Sequence, residues 1–157
     1  IKNKISVYQL EVIQDNEKAL TLYKKQGFRI NRILNCYQLT GKIKEPGIHK
    51  VWKLEHPEKL QDDQWTAVKD FWTYPPSWQN AKDAVCAIAK SFSYTIVKFD
   101  GNLIGYGIVD KIKGDIAQLA VHPKYRRMGV ATEILLDLLK QTKSLEMRER
   151  FFEEIEI

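Results

Sequence analysis

Three features of the sequence predict a fold of the α/β (α+β) class. The dipeptide Asp100-Gly101 separates two apolar runs, Tyr94–Phe99 and Leu103–Val109, and Asp-Gly in that setting marks a two-stranded hairpin. The β-rich run Ile116–Val121 leads through a short basic loop into a helical segment, Gly129–Gln141. Its Ala131, Ile134, Leu135, Leu138 and Leu139 fall on one stripe. Near the N-terminus a strand, a helix and further strands follow one another over residues 1–39. With 157 residues, 44% hydrophobic and 29% charged, the chain has the size and composition of one domain with a substantial core.

Taken in order, Ile5–Ile13 is rich in β-branched residues and reads as a strand. Asp15-Asn16 offers a helix cap, Ala19, Leu22 and Tyr23 follow at helical spacing, and Gly27 ends the helix. Phe28–Ile30 and Ile33–Leu39 read as one or two strands. Gly, Pro and charge gather in Thr40–Gly47, which marks a linker over residues 40–47. Beyond it, His49–Leu54 reads as a strand, and Leu60–Trp72 carries apolar residues at helical intervals. Tyr74-Pro75-Pro76-Ser77 breaks that pattern, because a proline disfavours helix in the residue before it. Ala81–Ala89 resumes as a helix with Ala84, Val85 and Ile88 inward, and Lys113-Gly114-Asp115 forms a turn before the strand Ile116–Val121. The tail, residues 144–157, fits a half-buried strand and a charged helix equally well.

Composition narrows the function. The net charge of +5 favours polyanionic partners, a phosphate-rich cofactor among them, but the charges are scattered in mixed sign. No RRM, KH or helix-turn-helix signature supports nucleic-acid binding. No apolar run reaches the roughly 20 residues that cross a bilayer, and the first residues lack the apolar core of a secretory signal. Cys36 and Cys86 are far apart and read as buried thiols of a reducing, cytoplasmic protein. His49, His56 and His122 form no metal-ligand cluster, so no metal is expected.

The chemistry is concentrated in Gln118–Thr132. A strand, Gln118-Leu119-Ala120-Val121, runs into the basic turn His122-Pro123-Lys124-Tyr125-Arg126-Arg127. Met128-Gly129-Val130-Ala131-Thr132 then opens a helix. A helix N-terminus presents unpaired N–H groups and positive dipole, and Gly129 and Ala131 leave phosphate a clear approach. Arg126–Ala131 resembles the Arg/Gln-x-x-Gly-x-Gly/Ala signature of the GNAT family of acyl-CoA-dependent N-acyltransferases, in the expected setting of strand before and helix after. That resemblance implies a mixed central sheet flanked by helices. It also implies acetyl-CoA as co-substrate, with the amides of Arg127–Thr132 around its pyrophosphate and the backbone of Gln118–Val121 along its pantetheine arm. His122 and Pro123 then read as exit-turn residues.

A second resemblance lies at the other end. Asn16-Glu17-Lys18-Ala19-Leu20-Thr21-Leu22-Tyr23-Lys24-Lys25-Gln26-Gly27-Phe28 is similar to the family's C-terminal motif, Asn-x-x-Ala-x-x-x-Tyr-x-x-x-Gly-Phe. It implies that Asn16 contacts the cofactor arm and that the Tyr23 hydroxyl protonates the departing thiolate. The motifs therefore arrive in reverse order: residues 1–39 resemble the last third of one such domain, and residues 48–143 the first two thirds of another. Three arrangements remain open. The chain is a piece of a tandem protein, or one circularly permuted domain, or one half of a homodimer that exchanges segments.

An amine acceptor, small molecule or peptide, must lose a proton before it attacks. Asp115, at the start of the cofactor strand, and Glu11, on the N-terminal strand, are the candidate bases. An N–H around Leu119–Val121 would meet the oxyanion, and the resemblance places part of the acceptor pocket in Leu60–Ala89, rich in Trp65, Trp72, Tyr74 and Trp78. The rival reading is a degenerate lobe that binds CoA, or a partner, without catalysis.

Overall fold

The computed structural model describes residues 7–39 and 51–142. The chain divides into two compact units, Ile1–Lys42 and Ile43–Ile157. The readings made for the linker 40–47, for His49 and for the tail 144–157 fall outside the described residues.

In the first unit the regular element is α1, Glu17–Lys25. Asn16 caps it, its side-chain oxygen accepting the Ala19 amide at 3.1 Å. Glu17 in the first turn and Lys24 and Lys25 in the last complement the helix dipole. Gly27, at φ +89°, carries the chain off the helix. The Gly27 and Phe28 amides return to the carbonyls of Lys24 and Tyr23, at 3.1 and 3.0 Å, and the Phe28 ring packs edge-on against Tyr23 at 5.8 Å. The strands expected at Ile5–Ile13, Phe28–Ile30 and Ile33–Leu39 do not form within residues 7–13 and 28–39. Alternation proposes a strand, but only a ladder of partners makes one, and an isolated pair of short strands is marginal in water. Val7, Ile13, Ile30, Ile33 and Tyr37 are correspondingly exposed.

The described residues of the second unit form a four-stranded sheet with helices on both faces. Its elements are β1 (Lys53–Glu55), α2 (Asp62–Val68), α3 (Lys82–Ala87), β2 (Phe92–Phe99), β3 (Asn102–Asp110), β4 (Ile116–Val121) and α4 (Val130–Lys140). The strands lie in the order β1-β2-β3-β4, each pair antiparallel. Asp100 and Gly101 form the two-residue loop between β2 and β3, both at positive φ (48° and 76°), as a turn matched to strand twist requires. At the next turn the Asp110 carboxylate accepts the Ile112 and Lys113 amides.

Alternation sorts the sheet into two cores. Tyr94, Ile96, Tyr106 and Ile108 face Trp65, Val68, Phe71 and Val85 from the helical segments on one side. Val97, Val109 and Val121 face Val130, Ile134 and Leu138 of α4 on the other. Two bulges break the alternation. Ile104 is skipped between the pairs Val97–Gly105 and Lys98–Leu103, and Ala117 between Ile108–Gln118 and Val109–Ile116. Each bulge puts two successive residues on one face: Ile104 and Gly105 toward α4, Ala117 and Gln118 toward α2.

Gly105 and Gly107 let α4 lie close on β3. A Cβ at Gly107 would stand 2.6 Å from both Ile134 Cγ2 and Leu138 Cδ1, and one at Gly105 2.9 Å from Ile134 Cδ1. The buried stripe of α4 is thus Val130, Ile134 and Leu138, whereas Ala131, expected inward, is exposed. Ile88 was also expected inward but is 55% exposed. It is the residue after α3, and its φ of −125° takes it off the helical stripe. Both cysteines are exposed rather than buried, Cys86 because it follows the inward Val85 by one helical step and so faces outward.

Candidate functional site

The turn after β4 is built by packing. The His122 amide donates to Ile104 O at 2.8 Å, extending the β3–β4 ladder past Val121. Pro123–Tyr125 makes one 3-10 turn, capped by His122, whose Nδ1 accepts the Lys124 amide at 3.2 Å. Rings of Phe71, His122, Tyr125 and Phe99 meet edge-on in sequence at 5.3, 5.7 and 5.9 Å. His122 therefore acts in the described unit as cap and packing residue.

The two arginines that follow have different lives. Arg126 turns its guanidinium back into the protein: Nε donates to Val121 O at 3.1 Å, Nη2 to Phe71 O at 2.8 Å, and Nη1 lies 3.4 Å from the Thr73 hydroxyl. Arg127 is exposed, and its side chain makes no ion pair or hydrogen bond among the described residues. Arg127 and Gly129 both take positive φ, 65° and 90°. Left-handed residues in such a turn aim successive amides at one point. Gly129 is the N-cap of α4 and has no side chain to cap it. The first intrahelical acceptor, Gly129 O, is taken by Glu133 N at 3.1 Å, so the amides of Val130, Ala131 and Thr132 have no helical partner. Arg126, Arg127, Met128, Gly129, Ala131 and Thr132, with Val121 and Tyr125, line an open depression of about 690 Å³ in front of them.

The other expected cofactor residues divide by face. Leu119 packs on the α4 side and Ala120 on the α2 side; Val130 is a core residue, its side chain 1% exposed. Gln118 is buried on the α2 side, where its carbonyl accepts the Tyr106 hydroxyl and its NH2 donates to Asn80 O. Tyr106 in turn accepts Trp72 Nε1 at 2.6 Å. Burial pushes the Tyr106 phenol up to about 12, opposed by the Trp72 donor. This chain of hydrogen bonds and the Arg126 clamp were not read from the sequence. Tyr106 and Gln118 meet as diagonal neighbours on one face, across the consecutive pairs Tyr106–Ala120 and Ile108–Gln118.

Among the described residues of the second unit, the outer edge of β4 pairs with no strand. Asp115 stands one residue before β4, at the end away from the depression, exposed and with no partner for its carboxylate among the described residues. The remaining candidates belong to the first unit. Glu11 is exposed there, Asn16 spends its oxygen on the cap but keeps its NH2, and Tyr23 is half-buried against Phe28.

A family model, the acetyltransferase (GNAT) family, matches residues 48–156. The chain belongs to the GNAT family. GNAT domains transfer an acyl group from acyl-CoA to an amine, and the matched span contains the whole β4–loop–α4 site. No curated protein and no solved structure matches the chain. The residues present fit an acyl-CoA phosphate group: the uncapped amides of α4, Gly129 at φ +90° and Arg127, unpaired among the described residues, border one depression. No described helix is long and apolar enough to cross a membrane. No group of three metal-ligating side chains occurs among the described residues.

Proposed function

We propose that the chain is a cytoplasmic N-acetyltransferase that passes an acetyl group from acetyl-CoA directly to an amine, on a small molecule or peptide. The observation that carries this reading is the uncapped start of α4, opening with Arg127 on the depression after β4. The bound thioester supplies an activated acyl carbon. The free edge of β4 offers backbone groups to an extended, amide-bearing arm, as sheet edges do to peptides. Such an arm leads from the phosphate end toward Asp115, whose unpartnered carboxylate can take the proton of the acceptor ammonium. Glu11 is the second carboxylate in this proposal, Tyr23 the acid that protonates the departing thiolate, and Asn16 a donor to the cofactor arm through its NH2.

Thermal unfolding with CoA tests the anchor. At a hundredfold excess over Kd, binding stabilises by about 2.7 kcal/mol, which raises Tm by roughly 5–11 °C for a chain of this size. Gly129→Glu places a carboxylate among the same amides and should abolish the shift. An unmoved Tm in the parent chain sinks the reading. Release of free thiol from acetyl-CoA across an amine panel then separates a transferase from a lobe that only binds.

A further inference from the structure

The segment between Phe71 and Asn80 carries Pro75-Pro76 and exposes Tyr74 (79%) and Trp78 (55%), yet both of its ends are tied to the cofactor strand and the loop behind it. Arg126 holds the start, through Phe71 O and Thr73 Oγ1. A second tie runs from Trp72, also at the start, to Asn80 at the far end: Trp72 Nε1 to Tyr106 OH to Gln118 Oε1, continued from Gln118 Nε2 to Asn80 O, across β3 and β4. Tyr106 is 0% and Gln118 6% exposed.

Stability does not demand this arrangement. Replacing both members of a buried polar pair with apolar groups of like shape is often neutral, so a polar pair in a core fixes one arrangement rather than adding strength. What these bonds fix is the position of residues 72–80 against β4. We propose that Gln118 and Tyr106 are positioning residues that latch the strap Trp72–Asn80 over the acceptor side of β4 and keep water from the thioester. The inference rests on the acyl-CoA reading above and deepens it. The side reaction that the latch suppresses is hydrolysis: water oxygen bonds to the acyl carbon, the C–S bond breaks, and acetate and the CoA thiol leave, the thiolate taking up one proton of the water.

The test uses the full chain and three measurements: CoA affinity by calorimetry, amide exchange over residues 72–81, and thiol release from acetyl-CoA without amine. The double variant Tyr106→Phe/Gln118→Met removes the latch without stranding a buried partner between its two members. Trp72→Phe is a milder variant that removes only the half-buried donor. Each bond lost should raise strap exchange and hydrolysis by about fivefold, the worth of one net hydrogen bond. Unaltered exchange in both variants overturns the latch, and a loosened strap with unaltered hydrolysis overturns its role. Failure of the parent chain to bind CoA would instead overturn the function beneath it, and the calorimetric arm reads that separately.

Discussion

Gly107→Ala tests the seat of α4 on the sheet. The added methyl carbon would lie 2.6 Å from Ile134 Cγ2 and 2.6 Å from Leu138 Cδ1. Comfortable carbon contacts are about 3.5–4.0 Å, so both approaches are short by about 1 Å. Ile134 and Leu138 are both 0% exposed, which leaves neither side chain free space to turn into. Overpacking of this kind costs about 1–3 kcal/mol, partly offset by about 0.5–1 kcal/mol because alanine has less freedom to lose than glycine. A net loss of about 1 kcal/mol lowers Tm by roughly 2–4 °C. Gly105→Ala should cost less, since its nearest contacts are side-chain ends at 2.9 and 3.0 Å. Leu138→Ala alone opens a cavity worth about 2–5 kcal/mol; combined with Gly107→Ala, the loss should be clearly less than the sum. Thermal and urea unfolding of the two single variants and the double supply the cycle. A Gly107→Ala chain as stable as its parent, or losses that simply add, would refute the packing described.

Three further outcomes are expected. Arg127→Ala should weaken CoA binding about 10–100-fold, the worth of a charge-assisted hydrogen bond, and flatten its salt dependence; Arg126→Ala should instead lower Tm, because the carbonyls of Val121 and Phe71 lose their donor. Burial pushes the phenols of Tyr94 and Tyr106 up to about 12, from 10.0. Their contribution is complete below pH 10, where both states are neutral. It is lost as pH rises to 12 and the unfolded chain alone ionises, by at most about 1.4 kcal/mol per unit for Tyr106 and by less for the more solvent-screened Tyr94. Alkaline unfolding followed by phenolate absorbance checks this, and Tyr94→Phe should make the decline shallower. Finally, mixing Tyr23→Phe chains with Gly129→Glu chains after joint refolding should restore thiol release if segments exchange between copies, and should leave both inactive if each chain supplies its own tyrosine.

Local chemistry made much of the second unit legible. Asp100-Gly101 announces a turn because few residues accept positive φ twice running, and Gly129 announces the start of α4 for a related reason. On the stripe of α4, Ile134 and Leu138 face inward as their spacing predicts, but Val130 takes the inward place expected of Ala131, and the glycines of β3 decide which of the two points inward. Residues 28–39 show the opposite case. Ile30, Ile33 and Leu34 have strand character, but a ladder needs a neighbour that no local pattern supplies. In the site, the loop before α4 was legible because its residues are contiguous. Arg126 opens the signature that the loop resembles, but its partners in the fold, Phe71 and Thr73, lie more than fifty positions away and no local pattern names them. The Tyr106–Gln118 contact joins two strands on a diagonal, and alternation along a single strand does not show which residues of its neighbour it meets.

Ala117, the residue skipped between β3 and β4, has a wider meaning. Ile116 shares a side with Val109 and Gln118 shares the other with Ile108, so excising Ala117 would restore perfect two-step phasing and send no side chain to the wrong layer. Hydrophobic fit therefore gives no reason for its presence. Its effect is on the main chain, where one peptide is turned out of the ladder two residues beyond Asp115, near the start of β4. The strand can thus bend there while its oily contacts stay in place, a freedom that an uninterrupted ribbon would lack.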